Sequence, residues 1–222
     1  MGANEPTLSE KVAEQILMEI KQKNILPCQK LPTEKELCAI TGAGRNTVRE
    51  ALKILSSRNV LEVRQGAGIF VSEKHGISDD PLGFSLAQDS HKLTRDLMQV
   101  RIMIEPRIAA LAAQSATEDE IIVLGEKLLE AEIAIQNKKE FTDQDAAFHS
   151  QIACCTHNLI MENLIPIITK GIIMYAHTVE ETEYERTLVS HRKIFHAIKS
   201  HAPFEAEQEM SFHLLFNQNR YK

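Results

Sequence analysis

The stretch from Leu31 to Val71, LPTEKELCAITGAGRNTVREALKILSSRNVLEVRQGAGIFV, constrains the fold more than any other part of this chain. Thr33 and Glu36 have the spacing of a capping box, in which each side chain satisfies an amide at the start of a helix. Thr41-Gly42-Ala43-Gly44 then breaks that helix. A second helix is predicted from about Arg45 to Arg58, with Val48, Ala51, Leu52 and Leu55 on one face. Val60 to Arg64 alternates as a strand, Gln65-Gly66-Ala67-Gly68 turns, and Ile69-Phe70-Val71 returns. Upstream, Leu8 to Lys23 carries Val12, Ile16, Leu17 and Ile20 at helical spacing, with Ser9 as the expected cap. Three helices and a small hairpin predict a winged helix-turn-helix, a fold whose second motif helix enters the DNA major groove.

The second helix has the chemistry for that task. Arg45, Asn46, Arg49 and Lys53 fall together away from the apolar face, with Arg45 and Arg49 one turn apart near the helix start. A guanidinium can grip guanine or phosphate with two hydrogen bonds. On an isolated helix the same stripe would read as a solvated basic face; the capped helix before it and the hairpin after it decide for DNA. The Gly-rich turn is not a nucleotide cradle, because no helix with a Lys-Ser/Thr pair follows it. As a wing tip, Gly66 would let the backbone approach a minor groove closely.

Charge divides the same way. The chain carries −6 overall, but residues 1–74 hold 11 Lys and Arg against 9 Asp and Glu, while residues 75–222 hold 14 against 22. A slightly basic head on an acidic body suits phosphate contact at one end and another role at the other. Cys28, Cys38, Cys154 and Cys155 form no CxxC pair and read as reduced thiols. MGANEPTLSEK offers no apolar run for a signal peptide, and the apolar stretch Leu164 to Ala176 is interrupted by Pro166 and Lys170. A cytoplasmic protein without membrane contact is expected.

Residues 1–72 are therefore expected to be the DNA-binding domain, 73–80 a polar linker, and 81–222 a second domain. The second domain has helical period almost throughout, in segments near 81–89, 92–115, 117–137, 139–156, 158–180, 184–201 and 203–219. The expected fold is mainly α: a winged helix-turn-helix with a small β-hairpin, then an all-α antiparallel helical bundle.

Polar residues interrupt the apolar stripes of that bundle. Asp145 and His149 sit one turn apart between Phe141, Phe148 and Ile152. His191 stands in the stripe of Leu188, Ile194 and Ile198, and His213 in that of Ala206, Met210 and Leu214. Burying such groups is costly unless something satisfies them. One carboxylate and three imidazoles make a plausible first shell for a divalent ion, with zinc, nickel and manganese not distinguished. A single core histidine bonded to a carbonyl is the ordinary alternative; three beside an inward Asp favour metal. His75, His91, His157, His177, His196 and His201 show no such pattern. Arg101 interrupts a further stripe of Leu97, Ile104, Ile108 and Leu111. A buried guanidinium needs an anion, here Asp145, Glu105 or the carboxylate of a bound ligand.

The motifs LPTEKEL, RNTVREAL and VRQGAGIFV resemble the winged-helix head of the GntR family of bacterial transcriptional regulators. By that resemblance Lys35, Arg45, Asn46, Thr47, Arg49, Gln65 and Gly66 align with positions that touch DNA. Gly44 departs from it, standing where the family often has a capping Ser or Thr. VRIMIEPRIAALAAQSATEDE, DQDAAFHSQIA, HNLIMENL, HRKIFHAIKS and EMSFHL resemble the FCD ligand-binding domain of the FadR subfamily. In its metal-binding members the ligands correspond to Asp145, His149, His191 and His213, and the position of Arg101 often grips an effector carboxylate. The resemblance implies a homodimeric regulator, with repression the expected sign, bound to a near-palindromic double-stranded operator and modulated by a small organic acid. Alternatives are a purely structural or metal-sensing site, or a metal-dependent hydrolase or lyase tethered to the head. No HExxH-like base motif supports the enzyme.

Overall fold

Thr7, not Ser9, starts the first helix. Glu10 lies three residues after Thr7, so the two close a capping box in which Thr7 N–H donates to Glu10 Oε2 at 2.7 Å. The computed structural model describes residues 5–137, 139–175 and 181–218, with the backbone alone at 175 and 181–183. His177 and the end of the segment expected to reach 180 lie outside the described residues. The chain divides after Leu82 into two compact units.

In the first unit α1 (Leu8–Gln22), α2 (Glu34–Thr41) and α3 (Arg45–Ser57) pack around Ile16, Leu37, Val48 and Leu55, all fully buried. Thr33 and Glu36 form the expected capping box at α2, and Gly42 ends that helix at φ 68°, a left-handed conformation that glycine adopts without strain. Strands β1 (Leu61–Arg64) and β2 (Gly68–Val71) pair antiparallel, with Leu61 opposite Val71 and Arg64 opposite Gly68. The chain before α2 lines the hairpin edge, where Leu31 N–H donates to the Ile69 carbonyl at 2.8 Å. Leu61 and Ile69 point from the hairpin into the helical core.

In the second unit the long helix α4 (Ser90–Ser115) packs against α6 (Thr142–Cys154), α7 (Leu159–Tyr175), α8 (Glu181–Lys199) and α9 (Pro203–Gln218). Helix α5 (Glu118–Gln136) packs on α6 and α8. Short connections between α6 and α7, and between α8 and α9, run these touching pairs antiparallel. Among the described residues the unit holds no strand.

Two expected helices are shorter than their periodicity suggests. Within 81–89 only Phe84–Leu86 forms a single 3-10 turn, because Pro81 precedes it and Gly83 takes a left-handed φ of 70°. The helix expected from 139 begins at Thr142, since Phe141 leaves helical geometry to fill a small cluster with Ala131 and Ala134. On α4, Leu111 faces outward, and the buried stripe instead runs through Leu97, Met98, Arg101, Glu105, Ile108 and Ala112. Two charged residues therefore lie in one buried face, a turn apart.

Candidate nucleic-acid interface and metal centre

The head presents its polar residues outward. Lys35, Arg45, Asn46 and Arg49 are exposed, Thr47 is half-buried, and Gln65 and Gly66 form the exposed tip of the wing. Gly66 has φ 73°, which a side chain would strain. Gly44 caps α3 with no side-chain hydrogen bond, leaving the amides of the first turn free of an internal acceptor from that residue. Between the start of α2 and the wing runs a cleft of about 440 Å³, lined by Lys30, Thr33, Glu34 and Arg64 among others. Sequence reasoning missed three of these. Lys30 bridges to Phe70, and the Arg64 guanidinium lies 4.5 Å from the Phe70 ring centroid. Glu34 accepts from Arg49 Nε at 3.0 Å, so this carboxylate holds the side chain of an expected DNA-contacting arginine. The i, i+15 separation gave no periodic signal for that pair.

In the second unit α6 places Asp145 and His149 one turn apart, α8 supplies His191 and α9 supplies His213. All three imidazoles are at most 2% exposed, and one ligand atom from each of the four residues lies within 4.8 Å of every other. His191 Nε2 is 3.3 Å from Asp145 Oδ1, and His149 Nε2 is 4.0 Å from it. The Phe148 ring stacks on His191 at 4.4 Å and fixes its plane. Bonds of about 2.0–2.2 Å to a common ion require ligand separations of roughly 3–4.4 Å, so a small contraction of the set would suffice.

The surrounding hydrogen bonds settle which nitrogen of His213 faces inward. Ser190 Oγ donates to the Thr187 carbonyl at 2.7 Å, so it accepts from His213 Nδ1–H at 2.8 Å. That leaves the His213 Nε2 lone pair unprotonated, and Asn217 Nδ2 donates to it at 3.2 Å. His149 Nε2 is on the side of Asp145, and its Nδ1 lies 2.7 Å from Glu105 Oε2. That approach is close but not aligned as a hydrogen bond. Carboxylate–histidine pairs of this kind orient metal ligands. Both ring nitrogens of His149 and His191, and Oδ1 of Asn217, are buried without a directed hydrogen bond. Unsatisfied buried polar atoms are costly; gathered around one point, they fit a divalent cation.

Glu105 is the residue that sequence reasoning named only as one partner among several. It receives Arg101 Nε at 2.5 Å, and both side chains are almost fully buried. Burial pushes its carboxyl up, but the Arg101 guanidinium and the His149 ring outweigh burial and hold it at about 2. The Asp145 carboxyl is likewise held well below the carboxylate range: burial raises it, but the close approach of His191 Nε2 and the favourable electrostatics of His149 and Arg101 outweigh burial. Burial pushes His213 well below its ordinary value, with neighbouring positive charge adding to it against Asp145; burial also lowers His191, although the Asp145 carboxylate pulls the other way. At neutral pH these two rings are uncharged, as ligands must be. His157 and His201 have local partners, Glu120 and the Ala113 carbonyl. A groove of about 310 Å³ between α8 and α9, flanked by Arg186 and Lys193, reaches Ser190 and His213 from outside.

Comparison with known proteins agrees with this division. Residues 8–71 match the bacterial regulatory proteins of the gntR family, and residues 96–216 match the FCD domain. The galactonate operon transcriptional repressor of Escherichia coli is 27% identical over 82% of this chain and 83% of its own length. The transcriptional repressor NanR of Escherichia coli is 26% identical over 93% of this chain and 81% of its own. The solved structure of Streptococcus agalactiae GntR superposes with a TM-score of 0.87 at 36% identity, covering 95% of this chain and 99% of that one. These relatives are transcriptional regulators, not enzymes. Among the described residues no helix is long and apolar enough to cross a membrane. The chain is thus a member of the GntR family of bacterial transcriptional regulators, joining a DNA-binding winged helix-turn-helix to an FCD domain.

Proposed function

We propose that this protein is a cytoplasmic, homodimeric repressor of the FadR subfamily. Its operator binding is modulated by a small organic acid at a divalent-metal site formed by Asp145, His149, His191 and His213. Residues 1–72 are assigned to the operator, 73–80 to the linker, and 81–222 to metal, effector and dimer contacts. The observation that carries this reading is the gathering of three buried imidazoles and a carboxylate in the unit that follows the winged helix-turn-helix in the chain. A bound divalent ion would supply positive charge and open coordination positions for a carboxylate. The chain's own residues do the rest. Glu105, held by Arg101, orients His149. Ser190 fixes the His213 tautomer. The charge of Arg101 reaches Asp145, His191 and His213, so an entering carboxylate would meet it beside the metal. Two recognition helices related by a two-fold axis would require a near-palindromic operator, contacted through Lys35, Arg45, Asn46, Thr47, Arg49, Gln65 and Gly66. The relative named for the galactonate operon supports a sugar acid as the kind of cue.

The test is fluorescence anisotropy with promoter fragments near the protein's own gene, with metal, with chelator, and with a panel of organic acids. The reading expects DNA binding that an acid changes several-fold only when metal is present, a coupling of about 1–3 kcal/mol. It also expects near one divalent ion per chain in the purified protein, lost in His149→Ala. Operator binding indifferent to every acid but sensitive to chelator would instead mark a metal-sensing site.

A further inference from the structure

We infer that Asn217 is the residue through which the metal centre recognises a hydroxyl group on its ligand, an inference that rests on the metal and organic-acid reading above. Asn217 lies one turn beyond His213 on α9 and is only 7% exposed. Its amide is split between two situations. Nδ2 donates to His213 Nε2 at 3.2 Å, while Oδ1 is buried with no hydrogen-bond partner.

The orientation of the amide is not arbitrary. Because Ser190 fixes the His213 proton on Nδ1, Nε2 presents a lone pair. A flipped amide would set oxygen against that lone pair, so the nitrogen faces His213 and the oxygen is left over. Yet Nε2 is the atom His213 has available as a metal ligand, since Nδ1 is engaged by Ser190. A nitrogen lone pair serves one partner at a time. Coordination by His213 must therefore release Asn217 Nδ2, leaving a buried amide with neither its N–H nor its oxygen satisfied.

An unsatisfied amide in a closed core is costly enough to demand a partner. Asn217 adjoins the coordination sphere, so the groups able to supply one are those bound there. Its oxygen needs an O–H donor and its nitrogen an acceptor. A carboxylate alone offers only acceptors. A carboxylate carrying a hydroxyl on the adjacent carbon offers both. Sites built to hydrogen-bond a hydroxyl reject the analogue that lacks it, because their own buried polar group is then left unpaired.

The experiment uses the full chain. In the metal-free protein the side-chain amide signals of Asn217, assigned by their loss in Asn217→Leu, are followed by 1H–15N NMR as Zn(II) is added. They are expected to shift as one equivalent binds and to return with chelator. Signals that stay in place while Zn(II) binds would overturn the inference. Zn(II)-loaded protein is then titrated with glycolate, lactate and malate, each against its deoxy counterpart acetate, propionate or succinate. Wild type should prefer at least one hydroxy acid by ten-fold or more. Asn217→Leu and Asn217→Ala, at unchanged Zn(II) stoichiometry, should reduce that preference to under three-fold. Asn217→Asp, which keeps the acceptor oxygen, should retain it. No preference in wild type, or the same preference in the Leu and Ala variants, refutes the role of Asn217. Failure of the underlying metal reading looks different: wild type would then retain no Zn(II), and Asn217 would not respond to it.

Discussion

Arg101 and Glu105 form a buried two-point ion pair whose second carboxylate oxygen also lies 2.7 Å from His149 Nδ1. Removing one member of such a pair strands the other charge, which costs about 3–5 kcal/mol. Glu105→Gln should therefore lower the stability of the second unit by that order, read by urea denaturation. It should also weaken metal binding by roughly 10–100-fold, as loss of an orienting carboxylate does elsewhere. Replacing both residues together, Arg101→Met with Glu105→Leu, separates the two effects. Stability should largely recover because no charge is left alone, while metal affinity stays low because His149 has lost its partner. A double variant that bound metal like wild type would confine Glu105 to a packing role. In the head, Arg49 is 58% exposed and its link to Glu34 is a surface ion pair, worth about 0–1 kcal/mol of stability. Arg49→Ala should leave the melting temperature nearly unchanged yet weaken operator binding by about 1–3 kcal/mol. Glu34→Gln frees Arg49 and removes an anion from the cleft beside the wing. It should raise affinity for random duplex and narrow the gap between operator and random DNA in competition anisotropy.

Among elements, those built from local signals were legible in sequence. The buried residues of α3 are Val48, Ala51, Leu52 and Leu55, the set its period selects, and the capping box at Thr33 forms as its spacing requires. The four polar interruptions in the stripes of α6, α8 and α9 converge because each stripe faces the same core. What sequence did not reveal depended on pairings between elements or on competing local chemistry. The start of α1 passed from Ser9 to Thr7 because the box partner Glu10 satisfies both ends of only that pairing. The period of α4 suggests a stripe through Leu111, but the buried face runs through Ala112, since small residues at closely packed faces carry a weaker hydropathy signal than exposed leucines. Hence Glu105 was not recognised as a core residue. The bare cap of α3 offers an element-scale test. Gly44 has φ −68° and ψ 156°, extended geometry that serine tolerates, and a Cβ there meets nothing within 4 Å. Gly44→Ser should add a few tenths of a kcal/mol, about the Gly-to-Ser difference at an N-cap, visible as a small rise in the urea midpoint of the first unit.

For the molecule as a whole, the metal centre ties folding to pH through the rings that the core keeps neutral. Burial lowers His213 well below 6.5 and lowers His191 in the same direction. Above that value both rings are uncharged whether the chain is folded or not, and they contribute no slope. As pH falls below it, the unfolded chain takes up protons that the folded core refuses, so stability declines. Glu105 and Asp145 act lower on the scale. Their carboxyls are depressed when folded, so the stability they add above the ordinary carboxylate range is lost only as pH falls toward about 2 for Glu105, and lower still for Asp145. Between pH 7.5 and 5.5 the histidines should therefore dominate, and the metal-free protein should show a falling urea midpoint for its second unit. With Zn(II) in excess the midpoint at pH 7.5 should be higher, because binding to the folded state alone stabilises it. Its fall toward pH 5.5 should also be steeper, because protons then compete for the same nitrogens. His213→Leu, similar in bulk and without a titrating group, should flatten the metal-free slope and abolish the Zn(II) increment together. A variant that kept the increment while losing the slope would show that the imidazole the core keeps most strongly neutral is not among the ligands.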